Sequence, residues 1–177
     1  RGNAFLSNIR ECHAIAHVVR CFEDPNVVHV DGRVDPASDI ETINTELILR
    51  DLETVEKRLD RARRNAKGGD TEAKATVSIG ERLMAAFNAG QRAVQVKTED
   101  EREAAVLADL QLLTAKPMFY VANVREDQLS KADSDPLVAK VRAVAEREGT
   151  SVDVICAAIE AEIMQLSEAD RPDFQSS

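Results

Sequence analysis

The segment Lys116-Pro117-Met118-Phe119-Tyr120-Val121-Ala122-Asn123-Val124-Arg125-Glu126 decides how the rest of the sequence is interpreted. Residues 118–123 form a short apolar run with aromatic and β-branched members, which is typical of a buried strand. A polar amide, Asn123, stands at the carboxyl end of that run. Because ligands of open parallel sheets bind where the strands end, the segment predicts a binding residue at this edge.

Two further strands are predicted around this segment, over residues 14–22 and 152–156, and the first of them reads as buried. A helix is predicted between about Asp135 and Glu148, closed by Gly149. A strand, helix, strand order with a crossover of this length predicts parallel neighbours. The fold class is therefore α/β, and the three strands end at Phe22-Glu23, Asn123-Val124 and Cys156-Ala157. Shorter predicted elements are a helix over 3–11, a strand over 27–30 and a final helix after residue 158.

A different periodicity runs from residue 38 to residue 113. Apolar residues alternate three and four apart between charged ones, which predicts a coiled-coil seam. Gly68-Gly69 ends the first helix and Asp70 or Thr71 caps a second, so the two form an antiparallel hairpin. The predicted domain boundaries are 1–37, 38–113 and 114–177. The seam residues are Ile48, Leu52, Val55, Leu59, Ala62 and Ala66 on the first helix, and Ala73, Val77, Leu83, Met84 and Phe87 on the second.

The composition narrows the functional classes. The net charge of −9 over 177 residues argues against sequence-independent binding of nucleic-acid phosphates. Three cysteines without a C-x-x-C pair predict a reduced, cytoplasmic compartment. No apolar run approaches the roughly 20 residues of a membrane span, so no membrane partner is expected. The sequence starts at Arg1 without a Met or an apolar leader, which predicts an excerpt from a longer protein.

Six segments resemble, in order along the chain, segments of the YchF-type (Obg-like) ribosome-binding ATPases, in the TRAFAC class of P-loop GTPases. The first two resemble the region after switch II, the next two the start and tip of the family's coiled-coil insertion, and the last two its base-recognition and final nucleotide-contacting loops. These segments are 3–11, 17–24, 35–52, 67–70, 116–126 and 156–162.

The resemblance implies a partial P-loop NTPase sheet with an inserted helical hairpin. It implies that the intact protein binds ATP, hydrolyses it with Mg²⁺, and associates with the ribosome (50S or 70S). The base contacts that it carries over are Asn123, Val124 and Glu126, with Cys156, Ala157 and Ala158 lining the same edge. No G-x-x-x-x-G-K-[ST] motif occurs, so we assign no catalytic residue and no metal ligand, and we expect the chain alone to be inactive.

The Asn-x-x-Glu tetrad at residues 123–126 favours adenine over guanine on chemical grounds. Guanine-specific relatives use Asn-Lys-x-Asp, whose Asp carboxylate accepts from the guanine N1–H and exocyclic amine. Here Val124 replaces the Lys and Glu126 replaces the Asp with one more methylene. The amide of Asn123 can instead pair with N6–H and N7 of adenine, and Val124 can pack against the base.

Two other functions stay open. The hairpin can be a binding module that docks a macromolecule, or the protein can be a guanine-nucleotide switch. The basic side chains of Arg61, Arg63 and Arg64 have two interpretations. They contact ribosomal RNA, or they form a solvated face of the helix.

Histidines and cysteines are interpreted as structural. His13 and His17 lie four residues apart, which on a strand separates them by about 13 Å and does not suit a shared metal. Cys12, Cys21 and Cys156 have no placed base and are expected to be small buried hydrophobes.

Overall fold

The computed structural model describes residues 14–23 and 33–156. The predicted helix over 3–11, the strand over 27–30, residues 157 and 158 and the final helix lie outside these ranges, as do His13 and Cys12. The described helices and strands are β1 (Ile15–Arg20), α1 (Pro36–Ala66), α2 (Thr71–Asn88), α3 (Glu101–Leu110), β2 (Met118–Val124), α4 (Glu126–Leu129), α5 (Pro136–Glu148) and β3 (Val152–Cys156), with 3-10 turns at Ala93–Gln95, Leu113–Ala115 and Ala132–Ser134.

The chain divides into two compact units. The helical unit holds residues 41–117 together with residues 14 and 15, and the sheet unit holds residues 16–23, 33–40 and 118–156 of the described chain.

The sheet has three strands in the order β1-β2-β3. β2 pairs in parallel with β3, in a register that runs from Tyr120 opposite Val152 to Val124 opposite Cys156. β1 joins the other edge of β2, since the backbone N–H of Ile15 donates to Pro117 at 2.9 Å and that of Cys21 donates to Asn123 at 2.8 Å. In both bonds the acceptor residue follows the donor residue by the same number of positions in the sequence. This separation stays constant only when two strands run in the same direction, so the pairing of β1 with β2 is parallel as well. The α/β class with a parallel sheet is confirmed.

β1 is buried on one face only. Val19 is 1% exposed and Cys21 follows the strand at 0%, whereas Val18 is 55% exposed. Successive side chains of a strand point to opposite faces, so an apolar run does not by itself specify burial on both. The expectation of a buried strand is right for one face and wrong for the other.

The crossover helix α5 begins at a carboxylate cap and ends at a glycine. Oδ1 of Asp135 accepts from the backbone N–H of Leu137 at 2.8 Å, which satisfies a donor of the first helical turn. Gly149 ends the helix at φ 70°, in the left-handed region that favours glycine. The side chains that α5 buries are Val138, Val141, Val144 and Ala145.

Helices α1 and α2 form the predicted hairpin of the helical unit. With 31 residues, α1 is about 46 Å long. Asp70, one of the two predicted caps, accepts from the backbone N–H of Glu72 at 3.0 Å and begins α2. Of the predicted seam, the buried members are Ile48, Val55, Leu59, Ala62, Ala73, Leu83 and Phe87, and the half-buried ones are Leu52, Ala66, Val77 and Met84.

A close contact at Gly80 was not predicted from the periodicity. A Cβ atom at Gly80 would lie 2.7 Å from Cδ2 and 2.8 Å from Cγ of Leu59. Leu59 is itself 2% exposed and has little room to move. The glycine therefore lets α1 and α2 approach more closely than an alanine would allow.

The chain segment that follows the hairpin is held in place by Asp51, a residue of α1 whose carboxylate-bearing side chain is buried, with 1% exposure. It accepts from the backbone N–H of Leu113 at 2.8 Å, from that of Thr114 at 2.7 Å and from Thr114 Oγ1 at 2.6 Å. Thr114 Oγ1 in turn accepts from the backbone N–H of Ala93 at 2.9 Å. Two loop segments are thus tied to one point on α1.

A second buried carboxylate, Glu103 on α3, is paired with Arg82 on α2. Burial alone would raise the pKa of Glu103, but hydrogen bonds from Arg82, from the backbone N–H of Glu99 and from Ser78 outweigh it and hold the pKa below its ordinary value. The buried carboxylate is therefore charged near neutral pH and joins α3 to α2.

Within the described ranges, none of the helices combines the length and apolar character needed to cross a membrane.

We expect Gly80→Ala to lower the free energy of unfolding by about 1 kcal/mol, because the clash with Leu59 outweighs the better helix propensity of alanine. Urea unfolding measures this change. Gly68→Ala is the matched control, since its Cβ would lie 3.5 Å from the Asn65 carbonyl oxygen, an ordinary contact. If Gly80→Ala is as stable as the control variant, the close approach does not limit the packing.

Candidate functional site

The predicted site residues lie at the carboxyl ends of the parallel strands. Asn123 stands opposite Ile155, and Val124 stands opposite Cys156. On the other side, the carbonyl oxygen of Asn123 accepts from the backbone N–H of Cys21 at 2.8 Å. The structure therefore brings Asn123, Val124 and Cys156 to one edge, next to the end of β1. Residues 157 and 158, predicted to line the same edge, lie outside the described ranges.

The side chain of Asn123 has an unsatisfied acceptor. The residue is half-buried, and its Oδ1 atom is buried without a hydrogen-bond partner. A buried polar atom without a partner costs about 1 to 3 kcal/mol. Among the described residues, Nδ1 of His17 and Oδ1 of Asn44 are in the same state, but of the three residues only Asn123 lies at the carboxyl edge of the sheet. A donor on a ligand bound here would satisfy Oδ1.

Val124 belongs to the hydrophobic core. Its side chain is 0% exposed, and strand alternation points it to the face opposite that of Asn123. Its side chain therefore offers no free surface to a base in this conformation. The contact between Val124 and a base stays a prediction, and the burial gives it no support.

Glu126 lies on a helical turn, where the sequence indicated a loop. It is the first residue of α4, and its side chain is exposed. The neighbouring Arg125 forms a surface ion pair with Asp127, with 3.4 Å between Nε and Oδ1. The carboxylate of Glu126 is thus solvent-facing and only three residues from Asn123.

Gln128 is a residue of this site that the sequence did not point to. Its Nε2 donates to the carbonyl oxygen of Cys21 at 3.1 Å and to Oδ2 of Asp135 at 2.8 Å. Its Oε1 accepts from the backbone N–H of Arg125 at 2.9 Å. One side chain thus joins the end of β1, the residue after β2 and the start of α5. The only sequence signal was a glutamine at the third position of a short helical turn, where it can reach back to the cap.

Cys21 and Cys156 of the sheet unit are buried, as expected of small hydrophobes, and His17 is half-buried. Burial, with smaller effects of Asp135 and Asp39, raises the pKa of the Cys21 thiol to about 12, which makes it a poor nucleophile. Burial also lowers the pKa of His17, against the opposing charges of Asp39 and Glu148. The ring of His17 packs on that of Tyr120, with 5.6 Å between centroids.

Metal-binding side chains do not cluster in the described part of the chain: no group of three or more His, Cys, Asp or Glu there is placed to hold an ion.

The basic residues of the hairpin lie on its exposed surface. Arg61, Arg63 and Arg64 are all exposed, and Arg63 pairs with Glu81 at 3.6 Å. Arg58, one turn before Arg61, pairs with Asp109 at 3.0 Å. Acidic partners are thus interleaved with the basic residues, which is typical of a solvated helix face and lends no support to an RNA contact.

No family model matches the chain. The ribosome-binding ATPase YchF of Escherichia coli O157:H7 is 47% identical over 175 residues, which is 98% of this chain and 47% of that protein. The protein of the same name from Bacillus subtilis (strain 168) is 47% identical over 173 residues, with the same coverage. The chain spans about half the length of these relatives.

A solved structure is similar as well. The Schizosaccharomyces pombe YchF GTPase matches 97% of this chain and 47% of its own, with a TM-score of 0.73 and 31% sequence identity. The bacterial relatives are named as ATPases and the yeast one as a GTPase, so the names differ on the base.

Proposed function

Because the chain belongs to the YchF family of Obg-like P-loop NTPases, we propose that it supplies the base-recognition edge of a longer protein that binds and hydrolyses ATP in the cytoplasm. The match covers 98% of this chain but 47% of the relative, and the sequence has no P-loop motif. In this proposal, the groups that hold the phosphates and Mg²⁺ lie in the other part of the protein. Bound Mg²⁺ would neutralise charge on the transferred phosphate there.

The observation that carries the proposal is the buried, unpaired Oδ1 of Asn123 at the carboxyl edge of the sheet. The adenine amino group is a donor that fits this acceptor, and the Asn123 Nδ2 can donate to adenine N7 in the same plane. Guanine presents the O6 acceptor where adenine presents N6–H, so Oδ1 would face a second acceptor. Adenine is therefore the better partner.

The other residues of the edge shape this contact. Val124 and Cys156, buried at 0% and 6% exposure, belong to the core on the sheet face opposite Asn123 and hold the strand ends in place. Glu126 is exposed and lies three residues after Asn123, and in this proposal its carboxylate lies on the solvent side of the base. In this proposal, Asn123 orients the base, and the packed strand ends hold Asn123 in place, so that a reaction at the phosphates proceeds in a fixed geometry.

Replacing Asn123 by Ala removes both base contacts. We expect the dissociation constant for ATP to rise by roughly 5- to 150-fold, the equivalent of about 1 to 3 kcal/mol. Isothermal titration calorimetry on the full-length protein measures it. Asn88→Ala, at an exposed position at the end of α2, is the matched control. An unchanged affinity in a folded Asn123→Ala protein would rule out this edge as the base site.

A second activity, docking to the ribosome, is proposed for the helical hairpin. The bacterial relatives of the chain are named as ribosome-binding. Within the hairpin, α1 extends over 31 residues, and Arg61, Arg63 and Arg64 are exposed near its end. In this proposal, the hairpin is the arm that contacts the ribosome, and the exposed arginines are the part of it whose contribution a charge reversal can test.

Reversing Arg61, Arg63 and Arg64 to Glu is expected to reduce co-sedimentation of the full-length protein with 70S or 50S ribosomes, because three attractive charges become repulsive towards an anionic particle. The matched control reverses Lys140, Arg142 and Arg147 on α5, which are also exposed and change the net charge equally. Equal co-sedimentation of both variants would show that the hairpin arginines form only a solvated helix face and do not contribute to ribosome binding.

A further inference from the structure

We infer that Gln128 is the positioning residue of the base-recognition edge, an inference that rests on the proposed function of that edge. Gln128 lies on the helical turn that follows β2 and is not part of the strand. It holds the end of β2 and the end of β1 in one arrangement, and through them it sets where the amide of Asn123 lies.

The side-chain amide of Gln128 makes three hydrogen bonds, so each polar atom of the group is used. Nε2 donates both of its hydrogens, to the Cys21 carbonyl oxygen at 3.1 Å and to Asp135 Oδ2 at 2.8 Å. Oε1 accepts from the backbone N–H of Arg125 at 2.9 Å. Because its nitrogen and its oxygen are both engaged in hydrogen bonds, the side-chain amide of Gln128 is held in one orientation.

These bonds close a ring around the end of β2. Cys21 donates its N–H to the Asn123 carbonyl oxygen at 2.8 Å, and the carbonyl oxygen of Cys21 accepts from Gln128. Gln128 then accepts from Arg125, two residues beyond Asn123. The backbone on both sides of Asn123 is thus tied to the same residue at the end of β1. The contact between Cys21 and Gln128 joins residues 107 apart in the sequence.

Asp135 explains why an amide and not a carboxylate stands at position 128. Its Oδ1 caps α5 by accepting from the backbone N–H of Leu137 at 2.8 Å and of Val138 at 3.3 Å. Its Oδ2 is the atom that accepts from Gln128. A carboxylate at position 128 would stand against the Asp135 carboxylate and would leave the Cys21 carbonyl oxygen without its donor.

The test is Gln128→Glu in the full-length protein, with ATP hydrolysis as the readout. We expect KM for ATP to rise by about tenfold and kcat to stay near the native value, because the base contact is disturbed while the phosphates are held elsewhere. The matched control is Asp127→Asn, on the same helical turn, whose side chain is exposed and pairs with Arg125 at the surface.

A rescue variant separates positioning from general damage. In Gln128→Glu combined with Asp135→Asn, the new amide at position 135 can donate to the new carboxylate at position 128, and its oxygen can still cap α5. We expect this double variant to recover part of the native KM, because the repulsion between two carboxylates is removed while the Cys21 carbonyl oxygen still lacks its donor. A merely structural role would lower the melting temperature without this reversal of KM.

The outcomes are distinct. A native KM in a folded Gln128→Glu protein, or a double variant no better than the single one, overturns the inference. If Gln128→Glu fails to fold, Gln128→Met removes the same bonds without repulsion, and it must still raise KM. Unchanged ATP affinity in Asn123→Ala would instead refute the proposed function, whatever the Gln128 variants do.

Discussion

The parallel pairing of β2 with both of its neighbours is the constraint on which the rest of the structure depends. Parallel strands cannot be joined by a tight turn, so each connection is long enough to carry other elements. The same pairing brings the ends of all three strands to one edge. The connection after β1 leads into the helical hairpin, the connection after β2 carries α5, and the edge carries Asn123 with its unpaired Oδ1.

Local pattern predicted the elements well, because their signals lie within a few residues of one another. Asp135 and Gly149 bracket α5 as cap and left-handed terminator, and Val152–Cys156 was predicted with its observed bounds. The seam of the hairpin followed from its spacing, and the turn between its helices from Gly69, whose φ is 87°. The closeness of α1 and α2 at Gly80 depends on which leucine lies opposite, which spacing does not reveal.

The candidate site was predicted in part, and the missed part is long-range. Asn123 and Cys156 were placed at the correct edge by position in the strands. Val124 is core because alternation turns it away from the face of Asn123. Gln128 was not recognised because its partner Cys21 lies 107 residues away, and Asp51 closes the hairpin through a residue 63 away. Such pairs leave no local period in a sequence.

The central claim is that Asn123 makes the strand edge selective for adenine, and the most direct measurement compares the dissociation constants of ATP and GTP for the full-length protein under identical Mg²⁺ and salt concentrations. Because Oδ1 can accept from adenine N6–H but faces the acceptor O6 in guanine bound the same way, ATP is predicted to bind at least about fivefold more tightly, the equivalent of about 1 kcal/mol. Equal or tighter binding of GTP would contradict the account.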